Sequence, residues 1–179
     1  RCDSTGKPPM DKCTWCTVHE PAGCDVIMGE PLPDKGTATE EDPYADVQEL
    51  EALSTDERWE FWRSHLDRCI RCYACRQACP LCYCKRCIVE KSMPQWVETS
   101  PHLRGNLAWH VVRAFHLAGR CVGCGECERA CPMDIPLSVL NRKMERLVRE
   151  KYGFVSGIFT EEATPFTTFS NEDSDDGIL

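Results

Sequence analysis

Apolar residues recur at helical spacing in three stretches of the chain. In the first, Ser54 and Glu57 form the pattern of a capping box, and the apolar positions that follow are Trp59, Trp62 and Leu66. Intervals of three and four residues place these side chains on one face of a helix. The pattern predicts a helix that begins after Ser54 and leads into a cysteine-rich segment.

A second helix is predicted in NLAWHVVRAFHLAG, residues 106–119, and a third in PLSVLNRKMERLVREKYG, residues 136–153. Pro136 suits the start of a helix, and Gly119 and Gly153 stand where helices commonly end. The predicted inner faces consist of Leu107, Val111, Ala114 and Ala118 in the second helix and of Leu137, Leu140, Met144 and Leu147 in the third. Because no segment alternates as a half-buried strand does, the predicted fold class is all-α with irregular loops.

Composition divides the chain into three predicted domains. Residues 1–45 hold cysteines among Gly and Pro and end in a polar linker, residues 46–154 hold the predicted helices, and residues 155–179 form an acidic tail. Six carboxylates and no Lys or Arg fall within 160–179, with Phe166 and Phe169 as apolar positions. We predict that the first and last regions are extended arms and that the tail docks on the basic surface of a partner subunit.

Charge and hydropathy narrow the possible partners. The formal net charge is −8, so nucleic acid is not expected as a partner. No apolar run approaches the roughly 18 residues that a membrane-spanning helix needs. The first residue is Arg1 and not Met, so a preceding segment is expected. A cytoplasmic location is predicted, because thiols that act as metal ligands must stay reduced.

The chain contains fifteen cysteines, and eight of them fall into two copies of one pattern. C-x2-C-x2-C-x3-C-P begins at Cys69 and again at Cys121, 52 positions later. This is the bacterial two-cluster ferredoxin pattern, in which the fourth cysteine of each run binds the other cluster. The predicted ligands of one 4Fe–4S cluster are Cys69, Cys72, Cys75 and Cys131, and those of the other are Cys121, Cys124, Cys127 and Cys79.

Two other uses of these thiols are structural zinc and disulfides, but an odd number of cysteines would leave one thiol over in a disulfide framework. Four thiolates occupy every iron of each predicted cluster, so no coordination position remains open for a substrate. We therefore predict a protein that transfers single electrons and has no catalytic residue of its own.

The segment from residue 55 to 152 resembles the α-helical ferredoxins. The long, helix-containing interval between Pro80 and Cys121 is unlike the small βαββαβ ferredoxins, and CVGCGECERACPMDIPLSVLNRK is similar to the second motif of the α-helical group. That group occurs in the iron–sulfur subunit of succinate dehydrogenase and the C subunit of heterodisulfide reductase. The resemblance implies an electron-transfer subunit of a multi-subunit, anaerobic oxidoreductase complex.

The N-terminal segment DKCTWCTVHEPAGCDVIMGE resembles the β subunits of deazaflavin-reducing hydrogenases and formate dehydrogenases. Cys13, Cys16, Asp25 and Gly29 match that pattern, and in this family the C-x2-C pair helps to hold a further 4Fe–4S cluster. The flavin-binding region that the family carries before this point is not in the sequence. The resemblance implies a flavoprotein among the partners. The alternative is that the chain is the C-terminal part of a flavin-containing β subunit that is itself catalytic.

Seven cysteines remain outside the two repeated motifs, enough for one more four-thiolate site. The two C-x2-C pairs among them predict a third 4Fe–4S cluster bound by Cys13, Cys16, Cys84 and Cys87. Any of the other three could replace one of these four: Cys82, Cys24 and Cys2. Zinc is the alternative metal, because paired C-x2-C motifs are also a zinc-ribbon pattern.

Overall fold

The computed structural model describes residues 25–26, 42–158, 161–169 and 171–172. The chain divides into two compact units, Arg1–Ala45 and Asp46–Leu179, and the fold described below is that of the second. Of the N-terminal arm, only residues 25–26 and 42–45 are described, and its predicted metal ligands lie outside them. These are the four cysteines of that arm: Cys2, Cys13, Cys16 and Cys24.

Helices and irregular loops make up the described part of the chain. Six α-helices occur in this order: α1 Ala45–Ala52, α2 Thr55–Asp67, α3 Ala74–Gln77, α4 Leu103–Leu117, α5 Glu126–Arg129 and α6 Leu137–Tyr152. Short 3-10 turns lie at Ile88–Glu90 and Pro165–Thr167. No strand occurs among the described residues, which confirms the predicted all-α fold class with irregular loops. None of their helices is both long and apolar enough to cross a membrane.

The helix ends follow the signals in the sequence. At the start of α2, the Glu57 backbone N–H donates to Ser54 Oγ at 3.3 Å, and the Ser54 backbone N–H donates to Glu57 Oε2 at 2.8 Å. This is the predicted capping box. Gly153 follows α6 with a φ of 64°, a left-handed conformation that glycine adopts without a steric penalty.

Two sets of contacts assemble the helices around one core. The long helix α4 packs against α2 and α6, while the short helices α3 and α5 pack against each other and α5 also packs on α6. The core contains six apolar side chains and two thiols: Leu66, Val89, Val97, Trp109, Ile135, Leu137, Cys75 and Cys127. Cysteines of both repeated motifs therefore belong to the interior of the fold.

The predicted inner face of the middle helix is wrong in part. Ala114 and Ala118 are buried, but Val111 is exposed, and the helix begins three residues earlier than the apolar pattern indicates. The buried face instead carries three polar residues beside Trp109 and Leu117: Asn106, His110 and Arg113. An apolar pattern cannot reveal this face, because its polar side chains are buried to contact the cysteine loops.

Helix α1, which the apolar pattern leaves unpredicted, is joined to α6 by ion pairs. Asp46 pairs with Arg142, and Glu51 pairs with Lys143 and with Arg146, whose Nη1 lies 3.1 Å from Glu51 Oε2. Val47 of α1 is buried. These contacts give a short helix a defined place on the fold.

Part of the acidic tail lies against the same unit. The Phe166 and Tyr152 rings meet edge to face with centroids 5.6 Å apart, and a Cβ added to Gly119 would lie 3.4 Å from Pro165 Cδ. Phe169, by contrast, is 87% exposed. The docking of the tail on a partner subunit remains a prediction.

Candidate metal centre

The two copies of the cysteine motif fold into the same turn. In each copy the third cysteine lies in a one-turn helix, α3 or α5. The backbone hydrogen bonds repeat with the sequence: Ala78 donates to Ala74 O at 2.9 Å in the first copy, and Ala130 donates to Glu126 O at 3.0 Å in the second. The repeat in sequence is thus a repeat in structure.

A left-handed residue in each turn directs an amide toward a thiol. Arg71 and Gly123 both have positive φ, 59° and 66°. The backbone N–H of Arg71 donates to the Cys69 thiolate, and that of Gly123 donates to the Cys121 thiolate. Donors of this kind stabilise the charged form of sulfur, which is the form that binds metal.

Four thiols line a cavity beside the first turn. They are Cys69, Cys72, Cys75 and Cys131, which we call the first quartet. The cavity wall includes Ile135 and Leu137 and is largely apolar. Burial raises the pKa of Cys75 to about 11 and also raises the pKa of Cys69. Charge on these sulfurs therefore requires positive groups or donors close by.

A second cavity is lined by Cys79, Cys121, Cys124 and Cys127, which we call the second quartet. Burial raises the pKa of Cys121 to about 11 and that of Cys127 in the same direction. The pKa of Cys79 is lowered to about 5 by a hydrogen bond from the Cys82 thiol. In the second quartet, burial therefore opposes the charge on two thiols, while a hydrogen bond favours the charge on a third.

Each quartet takes its fourth thiol from the other motif. Cys131, the last cysteine of the second copy, lines the cavity of the first quartet, and Cys79 of the first copy lines that of the second. All eleven cysteines of the described residues are free thiols. The grouping of these eight side chains is the one that the sequence pattern predicts.

Side chains from α4 and α6 add hydrogen-bond donors to the quartets. His110 Nε2 lies 3.4 Å from Cys69 Sγ, and the Trp109 side chain hydrogen-bonds Cys75. Asn141 Nδ2 donates to Cys127 Sγ at 3.4 Å. Burial lowers the pKa of His110 to about 4, so the ring is neutral and donates when its proton is on Nε2.

These residues fit thiolate-bound iron–sulfur clusters. Each cavity offers four thiols, a largely apolar wall and hydrogen-bond donors aimed at sulfur, which are features of such sites. Arg113, a buried cation on the face of α4 between them, supplies positive charge. Burial alone would lower its pKa, but thiolates that include Cys75 and Cys127 outweigh burial and raise it.

A third group of thiols lies beside the second quartet. Cys82, Cys84 and Cys87 line a cavity together with the basic side chains of Arg76, Arg113 and Arg120. Arg76 also pairs with Glu90, its Nη1 lying 2.6 Å from Glu90 Oε1. Among the described residues, no three His, Cys, Asp or Glu side chains are spaced to hold a single metal ion. The other two predicted ligands of the third site, Cys13 and Cys16, lie outside those residues.

The polar residues of α4 that contact the cysteine loops were not predicted from the sequence. Asn106 donates through Nδ2 to Leu66 O and to Cys69 O, both at 2.9 Å, and so fixes the path from α2 into the first motif. His110 and Arg113 contact thiols. Their spacing could have indicated this face, because Asn106, His110 and Arg113 follow one another at intervals of about one helical turn.

Comparison with known proteins agrees with this geometry. Residues 68–136 match the 4Fe-4S dicluster domain family. The chain is 39% identical over 100 residues to the F420-dependent formate dehydrogenase subunit beta of Methanocaldococcus jannaschii, which covers 55% of this chain and 26% of the relative. It is 35% identical over 106 residues to F420-dependent formate dehydrogenase 1 subunit beta of Methanococcus maripaludis, covering 59% and 26%.

A more distant similarity is to another methanogen protein. Acetyl-CoA decarbonylase/synthase complex subunit alpha 1 of Methanosarcina mazei is 27% identical over 119 residues, covering 66% of this chain and 13% of the relative. The chain thus spans about a quarter or less of the length of these relatives. The matched family model and the paired quartets agree on one conclusion: residues 68–136 form a ferredoxin-type 4Fe–4S dicluster domain, the kind of domain that transfers electrons.

Proposed function

We propose that this chain relays single electrons between redox partners in a multi-subunit anaerobic oxidoreductase complex. The first quartet holds one 4Fe–4S cluster and the second quartet holds the other. The observation that carries this proposal is the exchange of Cys131 and Cys79 between the two motifs, which brings the two sites together within one small fold. The partners are other subunits of that complex and include a flavoprotein.

The chemistry that such clusters supply is reversible one-electron transfer. The protein's own residues bind the iron through thiolates, exclude water from the sites and set the electrostatic surroundings. Apolar side chains such as Ile135 and Leu137 line the first cavity, and amide, imidazole and indole donors contact its sulfurs. Hydrogen bonds to sulfur and nearby positive charge favour the reduced state.

The likeness to F420-dependent formate dehydrogenase β subunits suggests the kind of complex. We propose a complex of that type, or of the heterodisulfide reductase or hydrogenase type, located in the cytoplasm. A third 4Fe–4S cluster at Cys84 and Cys87, completed by Cys13 and Cys16, would extend the relay. The arginines around Cys84 and Cys87 support this, because they offset the negative charge that four thiolates confer.

Iron and sulfide analysis after anaerobic purification tests the proposal. Two clusters give about eight iron atoms and eight labile sulfides per chain, and a third raises both numbers to about twelve. Reductive titration should then take up one electron per cluster. Eight iron atoms with one zinc per chain would mean that the third site holds zinc and not a cluster. An iron content near zero would refute the electron-transfer proposal.

A second candidate function follows from the same relatives. The chain could be the C-terminal part of a flavin-containing β subunit that is itself catalytic, as the similarity to F420-dependent formate dehydrogenase β subunits suggests. Flavin bound to the native protein, together with reduction of a deazaflavin by the purified polypeptide alone, would favour this candidate. Electron transfer that requires a separate flavoprotein would favour the first.

A further inference from the structure

Arg113 contacts all three groups of thiols. It lies on α4 with 4% of its surface exposed, and its Nη2 donates to Cys75 O at 3.0 Å. Its side chain also lines the cavity of Cys127 and that of Cys82, and its positive charge favours the thiolate form of both thiols. Cys75 belongs to the first quartet, Cys127 to the second, and Cys82 to the third group. One buried cation therefore meets a residue of each group.

The charge of Arg113 is balanced by sulfur. Burying a guanidinium is costly unless anions or acceptors surround it. Among the described residues, Arg113 donates to a backbone carbonyl and lies in two cavities lined by thiols, and no carboxylate is among its hydrogen-bond partners. Its buried Nε has no hydrogen-bond partner there. The site therefore suits a cation whose counterions are the thiolates on either side of it.

Two other arginines near the quartets have partners other than thiols, and each lies beside one quartet only. Arg142 lines only the second cavity and pairs with Asp46, a carboxylate of α1. Arg71 lines only the first cavity, and its guanidinium donates to Gly105 O and Glu98 O. Both are tied to partners other than sulfur. Of these three arginines, Arg113 is therefore the one that contacts residues of both quartets.

We infer that Arg113 is a shared counterion that sets the reduction potentials of both clusters together. This inference rests on the proposed pair of clusters. Reduction adds one electron and one negative charge to a site and makes or breaks no bond. A fixed positive charge beside both sites stabilises the added charge in each, because the surrounding low dielectric screens it weakly. Arg113 is a positioning and charge-compensating residue, not a ligand.

Potentiometric titration of the whole protein, followed by electron paramagnetic resonance with dithionite as reductant, tests the inference. Arg113→Gln removes the charge at similar size, and we expect the midpoint potentials of both clusters to shift to more negative values. Arg113→Lys keeps the charge and should leave both potentials close to those of the unaltered protein. Arg142→Gln is the matched control, because Arg142 faces one quartet and is already paired: it should shift the second potential by less and leave the first unchanged.

Iron content separates this test from a test of the proposed function. An unaltered protein without about eight iron atoms per chain would remove the proposed function itself. With the iron present, unchanged potentials in Arg113→Gln, or a shift in one cluster only, would overturn the shared role. If Arg113→Gln fails to hold its clusters, Arg113→Lys decides: intact clusters with both potentials near the original support the role of charge. Intact clusters with both potentials strongly lowered would contradict it.

Discussion

The two cysteine motifs build the same turn with different residues. In the second copy, the two left-handed positions are Gly123 and Gly125, with φ of 66° and 70°. In the first copy, the equivalent positions are Arg71 and Tyr73, with φ of 59° and 60°. A left-handed conformation costs a residue with a Cβ roughly 1–2 kcal/mol, and glycine avoids this cost. The first turn is therefore the strained one.

Contacts of the two side chains offset this strain. Arg71 donates to Gly105 O at 2.9 Å and also hydrogen-bonds Glu98 O. Its guanidinium carbon lies 5.4 Å from the centre of the Tyr73 ring and 5.8 Å from that of Trp109. The Tyr73 and Trp109 rings meet edge to face with centroids 5.3 Å apart. The first turn is thus tied through side chains to α4 and to the loop before it.

The two left-handed residues of the second turn are glycines and have no side chains that could make such contacts. A Cβ added at Gly123 or Gly125 would meet nothing within 4 Å among the described residues. The short helix that follows links this turn to the fold: Glu128 Oε2 accepts from the Ser138 backbone N–H at 2.9 Å at the start of α6. The same backbone geometry is thus reached in one turn by glycine and in the other by residues whose side chains are anchored. The first site should therefore be the more sensitive to loss of side chains.

The largest expected effect comes from the exchanged thiols. Cys131→Ser should damage the cluster of the first quartet and leave the second, although Cys131 belongs to the second motif. Cys79→Ser should do the reverse. Each variant should lose up to four of about eight iron atoms per chain, because one ligand of a four-thiolate cluster is replaced by a weaker one.

Electron paramagnetic resonance spectra of the two variants provide the measurement. Cys72→Ser, which alters a thiol of the first motif in the same quartet as Cys131, is the reference. Cys131→Ser and Cys72→Ser should leave the same cluster signal intact. Spectra in which Cys131→Ser instead resembles Cys124→Ser would refute the exchange of ligands.

Arg71→Ala should lower the apparent free energy of unfolding by about 2–4 kcal/mol. Two buried or half-buried carbonyls would lose their donor, at roughly 1–3 kcal/mol each, while the left-handed strain at position 71 would remain. Urea denaturation followed by helical circular dichroism measures the effect. Arg68→Ala is the control, because Arg68 is exposed and precedes the same motif. An equal effect of both substitutions would argue against the anchoring role of Arg71.

Gly125→Ala should cost less, about 1 kcal/mol, because it adds left-handed strain without a clash. The complementary change, Tyr73→Gly, relieves the strain of the first turn but loses the ring contact with Trp109 and should be destabilising overall. The same denaturation measurement compares them. Tyr73→Gly that stabilises the protein would mean that side-chain contacts do not offset the strain.

The sequence predicted the parts of the fold that depend on local pattern. The capping box before α2, the glycine after α6 and the grouping of eight cysteines in two cavities all follow from spacing. The buried face of α4 did not, because Asn106, His110 and Arg113 are buried by contacts with loops distant in sequence. The left-handed conformations of Arg71 and Tyr73 were not predicted either, because residues with a Cβ rarely adopt a positive φ.

An ion pair between α1 and α6 lies on the helix that carries a donor to the second quartet. The hydrogen bond from Lys143 lowers the pKa of Glu51, with further help from Arg146, against the opposing effect of burial. Because the folded pKa is lowered, the stabilisation is fully present above the ordinary carboxyl pKa and is lost as the pH falls through the lowered value. Glu51 is about one third exposed, so screening by solvent limits the contribution to roughly 0.2–1 kcal/mol.

Glu51→Gln should therefore be the mildest of these changes. The decrease in the free energy of unfolding, measured by urea denaturation, should be small at neutral pH. It should shrink as salt is added and vanish at a pH where Glu51 is protonated. Glu60→Gln, which alters a pair within α2, is the matched control and should change stability no more than Glu51→Gln. Because α6 carries Asn141, the donor to the second quartet, loosening α1 from α6 should leave the first cluster unchanged. A loss of the first cluster's signal in Glu51→Gln would show that the two sites depend on one set of contacts and not on two.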